Sequence, residues 1–169
     1  MPDSNPLYVL VTGLPGTGKT TLAAALARAL GMVHLNTDVV RMETGRQGHY
    51  REDEKERVYD QLLERTAQAM ESGKKVIVDG TFYRKSLRDR FMALGEQYGR
   101  QARLINCHAA ESTIQERVSK KRPYTEADFS VYEKVRANFE PLAKEHLVIH
   151  TDLEPPDESV KKALEYLNK

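Results

Sequence analysis

Cys107 is the only cysteine in the 169-residue chain. A single thiol excludes an internal disulfide, and it excludes a cysteine-rich zinc site, which needs two or more thiolates at short spacing. Neither sign of charge is in excess, since 26 Lys and Arg stand against 25 Asp and Glu for a net charge of +1. That balance excludes a strongly basic nucleic-acid coat and an acidic disordered tail, while leaving room for a local basic patch. Long apolar runs are also missing. Leu7–Val11 is far short of the roughly 20 residues that cross a bilayer, and Met1–Pro6 has no basic n-region. The expectation is a cytoplasmic protein without a membrane partner. No repeat, low-complexity segment or linker interrupts the chain, so one domain over residues 1–169 is expected.

What the sequence does contain is alternation, and its 40% apolar residues suffice for the core of one domain. Leu7–Thr12 reads as a buried strand, followed by a glycine-rich turn and a helix over about Gly18–Leu30 capped by Gly31. Val33–Asn36 is a second short strand. After a polar region comes a charged helix over about Arg51–Ser72, with Val58, Leu62, Leu63 and Ala69 on one face and Gly73 at its end. Lys75–Asp79 is a third strand, whose continuous Val76-Ile77-Val78 run suits a parallel sheet covered on both faces. A helix over Lys85–Tyr98, a strand over Ala102–Cys107 and a helix over Ala110–Lys121 follow. Thr125–Asp128 resembles a capping box opening a helix to about Phe139, then Leu147–His150 is a fifth strand, and Pro155-Pro156 precede the last helix. The pattern predicts an α/β fold with a five-stranded parallel sheet and right-handed crossovers.

Gly13-Leu14-Pro15-Gly16-Thr17-Gly18-Lys19-Thr20 matches G-x-x-x-x-G-K-[ST] at every defined position, between a strand and a helix. Glycines let such a loop fold tightly enough for successive N–H groups to point at phosphate oxygens, and the helix adds its positive end. Gly13, Pro15, Gly16, Thr17, Gly18, Lys19, Thr20 and Thr21 are therefore the candidate nucleotide-binding residues. Lys19 would reach the β- and γ-phosphates, and the Thr20 hydroxyl would ligate Mg²⁺. Asp79, closing an apolar strand, is the candidate second Mg²⁺ ligand; the alternative is a strand-end aspartate that caps a turn.

Further absences narrow the chemistry. Gly80 follows Asp79, so the water-activating glutamate of a motor ATPase is missing, and neither the N-K-x-D nor the D-x-x-G of a GTPase occurs. A chain of 169 residues leaves no room for a motor's additional helical domain. Transfer of a phosphoryl group from ATP to an acceptor is thus expected over hydrolysis. His34, His49, His108, His146 and His150 lack metal-ligand spacing and read as surface or strand-end residues. Cys107 reads as buried packing. Tyr50, Tyr59, Tyr83 and Tyr124 could stack on a base or sugar.

Acceptor candidates follow the second strand. With a strand order of 2-3-1-4-5, Asp38 would lie about 10 Å from the phosphate loop, in the crevice at the carboxyl ends of the strands. There it could accept the proton of an attacking hydroxyl. Arg41, three residues on, could share its face and grip an acceptor phosphate or carboxylate. The alternative is a helix cap with an i,i+3 ion pair. Arg117, Lys120, Lys121 and Arg122 suit a mobile lid over about residues 117–128, or a basic helix end that complements the macrodipole. Arg84 and Arg88, at i,i+4, could face the acceptor or lie with Lys85 and Asp89 on a solvated face.

Taken together, Gly13–Thr20, Asp38-x-x-Arg41, Val78-Asp79-Gly80-Thr81 and the Arg117–Arg122 cluster resemble the polynucleotide-kinase-like branch of P-loop kinases, which also includes zeta-toxin-like proteins. The resemblance implies a three-layer P-loop fold with a helical lid. By it Asp38 would be the general base, Arg41 would hold an acceptor phosphate, and Arg117 or Arg122 would meet the γ-phosphate. The lid is one residue longer between its arginines than that of the polynucleotide kinase. Expected ligands are ATP, Mg²⁺ and a hydroxyl-bearing acceptor: a small metabolite, a nucleoside or a nucleotide end. A 5′-hydroxyl kinase of DNA or RNA ends is the first alternative, and a nucleotide-sensing regulatory ATPase module the second.

Overall fold

The computed structural model describes residues 6–45, 51–120 and 129–169. Five strands form one sheet: β1 (Tyr8–Thr12), β2 (Val33–Asn36), β3 (Val76–Asp79), β4 (Arg103–His108) and β5 (Leu147–His150). Their order is β2-β3-β1-β4-β5, and every pair is parallel. Among the described residues there are seven helices: α1 (Lys19–Leu30), α2 (Thr37–Glu43), α3 (Glu52–Glu71), α4 (Lys85–Gln97), α5 (Glu111–Val118), α6 (Phe129–Asn138) and α7 (Pro156–Leu167).

Strand side chains alternate between two cores, as the period of two requires. Tyr8, Leu10, Val76, Val78 and Leu104 join Val58, Leu62, Phe91 and Val135 of α3, α4 and α6. Val9, Val11, Ile77, Ile105 and Ile149 join Leu22, Leu26 and Ala163 of α1 and α7. The apolar runs are therefore buried on both sides, giving three layers. Gly31 ends α1 in the left-handed conformation, φ 65°, and Gly73 follows α3 at φ 74°, both where a side chain would strain the turn.

Sequence and structure differ at two places. After β2 the sequence implies a helical turn only as one reading of Asp38 and Arg41, with no bounds; the structure has the seven-residue α2, capped by Asn36, whose side chain accepts from the N–H groups of Asp38 and Val39. The helix expected over Ala110–Lys121 spans Glu111–Val118. The capping box at Thr125–Asp128 lies outside the described residues. No helix among the described residues is long and apolar enough to cross a membrane.

Candidate active site

Parallel order puts the carboxyl ends of β1, β2 and β3 side by side, and the crevice lies there. The phosphate loop leaves β1 through Gly13, φ 147°, where a Cβ would sit 2.6 Å from the Cys107 carbonyl oxygen of β4. Gly16, φ 81°, lies so close to α5 that a Cβ would meet Val118 Cγ1 at 2.9 Å. Only glycine permits either approach. α1 then begins at Lys19 with no side-chain cap and no acidic residue in its first turn, which leaves its positive end for an anion.

The loop is braced by side chains from elsewhere. Thr17 Oγ1 donates to Leu14 O at 2.7 Å, and Lys19 Nζ donates to the same carbonyl at 3.2 Å. Thr151, just past β5, donates to Thr17 O at 2.7 Å. Arg117 of α5 donates to Gly16 O at 3.2 Å, to Thr151 Oγ1 at 2.9 Å and to Thr151 O at 3.2 Å. Pro15, Gly16, Gly18, Lys19, Thr20 and Arg117 line the crevice. Thr21 lies round the corner, in an adjoining apolar cavity of about 200 Å³ with Leu22, Ala25, Thr151 and Val160.

At the end of β3, Asp79 is fully buried. Its Oδ1 accepts from Thr20 Oγ1 at 2.9 Å and from Asn36 Nδ2 at 2.6 Å, and Asn36 Nδ2 also donates to Thr20 Oγ1 at 3.0 Å. His34 Nε2 lies against Asp79 Oδ2. Thr20 and Asp79, expected as a metal pair, are thus in contact. Asn36 carried no site signal in the sequence, and His34, read there as a surface or strand-end residue, lies on β2 with its ring against Asp79. The Asn36 carbonyl Oδ1 accepts from Asp38 N at 2.7 Å and Val39 N at 3.0 Å. One amide therefore joins the Thr20–Asp79 pair to the start of α2.

Asp38 and Arg41 both face this crevice, and Arg41 Nη1 donates to Asp38 Oδ1 at 3.3 Å. The i,i+3 ion pair and the shared crevice, posed in the sequence as alternatives, coexist; the cap is Asn36, not Asp38. Burial raises the Asp38 pKa, against the opposing pull of Arg41 and Lys19. Thr37, Lys55, Tyr59, Thr81, Tyr83, Val131 and Val135 complete the lining. Below it, Phe82 holds a left-handed backbone, φ 48°, which costs a non-glycine residue about 1–3 kcal/mol. Its N–H donates to Tyr59 Oη at 2.9 Å, and its ring meets Tyr59 and Phe91 edge-on at 5.2 and 4.9 Å. Those contacts hold the strained turn beside Asp79.

Two expected acceptor residues do not reach the crevice. Arg88 is buried, and its guanidinium donates to Phe82 O at 2.6 Å, Glu140 O at 2.8 Å and Pro141 O at 3.1 Å. It ties three distant carbonyls together and has no face toward an acceptor. Arg84 pairs with Glu52 at 2.6 Å and lines, with Ser86 and Arg90, an adjoining depression that lies on the other side of Lys55, Tyr59 and Tyr83. Lys120 lines the crevice; Lys121, Arg122, Pro123 and the rest of the expected lid lie outside the described residues, as do His49, Tyr50 and Tyr124. Cys107 is buried, its thiol pushed up to about 12 by desolvation, and this marks it as inert packing.

A phosphate loop between β1 and α1, an aspartate ending β3 and the order β2-β3-β1-β4-β5 define a P-loop nucleotide-binding domain. Residues 9–142 match the family described as AAA domain, and the chain belongs to that family. A UPF0200 protein of Aeropyrum pernix is 40% identical over 91 residues, covering 47% of this chain and 49% of that protein. The chain spans about half the length of the curated relatives it matches. Among solved structures, the Mycobacterium tuberculosis APS kinase CysC in complex with AMPPNP and APS superposes with a TM-score of 0.75 at 17% identity, covering 98% of this chain and 99% of that one. A gluconokinase from Sinorhizobium meliloti 1021 gives 0.71 at 22% identity, over 96% and 92%. At such identities the likeness is one of fold.

Proposed function

We propose that the protein is an ATP-dependent phosphotransferase that moves the γ-phosphoryl group to a hydroxyl of a small acceptor. The observation that carries this reading is the seating of Asp38, a carboxylate of raised pKa, in the same crevice as the phosphate loop and the Thr20–Asp79 pair. A hydrolase needs only to position water; a base beside a buried arginine suits an organic acceptor. The folds of a gluconokinase and an APS kinase, proteins named for phosphorylating small molecules, agree with it.

In this reading the main chain of Gly13–Thr20 and the Lys19 ammonium hold the β- and γ-phosphates. Oxygen donors in contact at the end of β3 fit a hard divalent cation, so Thr20 and Asp79 would hold Mg²⁺, which when bound neutralises phosphate charge. Asp38 takes the proton of the acceptor hydroxyl as its oxygen bonds to the γ-phosphorus. The bond to the β–γ bridging oxygen breaks, ADP leaves, and the product is a phosphate monoester. Arg41 orients the acceptor through an anionic group, and Arg117 adds positive charge on the nucleotide side. The narrower, polynucleotide-kinase-like reading draws on the same Asp38–Arg41 pair, with a 5′ end as acceptor.

The test is a screen with γ-labelled ATP over sugars, nucleosides, aminoglycosides and 5′-hydroxyl oligonucleotides. Label is expected on a small acceptor and should be lost with Asp38→Asn. Label on oligonucleotide ends alone would favour the narrower reading. ATP hydrolysis indifferent to every acceptor and to Asp38 would overturn the proposal in favour of a regulatory ATPase module.

A further inference from the structure

α3 begins with a run of charges, and its early cations have different surroundings. Arg51 and Arg57 expose 84% and 58% of their side chains, whereas Lys55 exposes 16%. Lys55 turns inward to the crevice that holds Asp38 and Arg41. Its ammonium lies 5.0 Å from the centroid of the Tyr83 ring and 3.7 Å from Glu52, whose carboxylate also accepts from Tyr83 Oη at 2.8 Å and Arg84 at 2.6 Å. One carboxylate is thus divided among three donors. On the same wall Arg41, also largely buried, meets Asp38 at 3.3 Å. Burial lowers the Lys55 pKa despite the Glu52 carboxylate beside it, and the positive charges of Arg41 and Arg84 act in the same direction as burial. Two largely buried cations on one wall, beside a carboxylate that must stay available as a base, are stabilised by an added anion.

We infer that Lys55 joins Arg41, the residue already assigned the acceptor's anionic group, as the second arm of that oxyanion subsite, so that the two cations take a phosphate-like group of the acceptor while its hydroxyl faces Asp38. Arg41 supplies a planar fork and Lys55 a point charge, and Tyr83 and Val135 form walls near them. The acceptor class is a small molecule bearing both a hydroxyl and a compact oxyanion. Naming the ligand as an acceptor rests on the phosphotransferase reading; the anion subsite itself does not.

Inorganic phosphate is the probe, titrated calorimetrically into the whole protein. The nucleotide-free protein should bind two equivalents, one lost with Lys19→Ala and the other weakened about 10- to 100-fold by Lys55→Gln, the scale of one charge-assisted hydrogen bond. Mg·AMPPNP should displace only the equivalent that Lys19→Ala removes. Lys55→Arg, which keeps the charge, should retain the second site, and this rescue separates a binding role from a folding defect. A wild-type protein with no second equivalent, or Lys55→Gln binding phosphate as tightly as wild type, would overturn the subsite. Failure of Mg·AMPPNP to displace any phosphate would overturn the nucleotide reading instead, and the Lys55 comparison would still be scored.

Discussion

Between β1 and α1 the crevice is walled by main chain. Gly13 and Gly16 bring the loop against β4 and α5, and Thr151 and Arg117 fasten it by its carbonyls. Between α2 and α3 the opposite wall is made of side chains: Asp38, Arg41, Lys55 and Tyr83. A wall of backbone amides recognises phosphate whatever is attached to it, because its donors do not vary with side-chain identity. A wall of side chains can be rewritten one residue at a time. The same fold can therefore keep its nucleotide and change its acceptor.

If this contrast holds, single side-chain changes should have their largest effect on the acceptor wall. Asp38→Asn is expected to lower transfer by about 10²–10⁴-fold, with the KM for ATP little changed, as read with γ-labelled ATP. The same variant should be more stable at neutral pH. Burial raises the Asp38 pKa, so its contribution to stability is full only below the unfolded carboxylate range and is lost as pH rises through the folded value. Thermal melts should show a gain at pH 7 that closes as the solution is acidified into the carboxylate range.

Arg88→Met attacks the support behind that wall. It would leave the carbonyls of Phe82, Glu140 and Pro141 without their guanidinium, a loss of about 3 kcal/mol at the upper end for an unsatisfied buried group, measurable by denaturant unfolding. On the backbone wall, Gly13→Ala should cost about 1–3 kcal/mol through the clash at Cys107 O and weaken AMPPNP binding in calorimetry. Thr151→Val removes the hydroxyl's bond to Thr17 O and the one it accepts from Arg117; about 1–2 kcal/mol in the melting curve is expected, with AMPPNP affinity falling less than in Gly13→Ala. Equal loss of transfer from Thr151→Val and Asp38→Asn would break the contrast.

The sheet and its helices were legible because apolar runs such as Val76–Val78 and glycine caps such as Gly31 are local signals. The phosphate loop was legible for the same reason: its chemistry is contiguous. α2 was legible only as a helical turn joining Asp38 to Arg41, because seven residues containing two adjacent valines carry little helical signal and its start depends on the Asn36 cap. Asn36, His34 and Lys55 were missed because each is one polar residue brought to Asp79 or to the crevice only by strand order or helix rotation. Arg88 was misread for a related reason. An i,i+4 spacing says that two side chains share a helix face, but the carbonyls that claim Arg88 come from 52 and 53 residues away.

Asn36 points its NH₂ at Thr20 and Asp79 and its oxygen at the first N–H groups of α2. Turned over, the amide would set oxygen against carboxylate and N–H against N–H, so it fits in one sense only. An aspartate of the same shape would keep the helix cap and repel Asp79; a serine would keep the cap and lose the reach. The residue therefore works as a coupling pin between two machine parts. The Thr20–Asp79 pair and the first turn of the helix bearing Asp38 thus share one hydrogen-bonded anchor, and the spacing between the two halves of the crevice is set by the length of a single side chain.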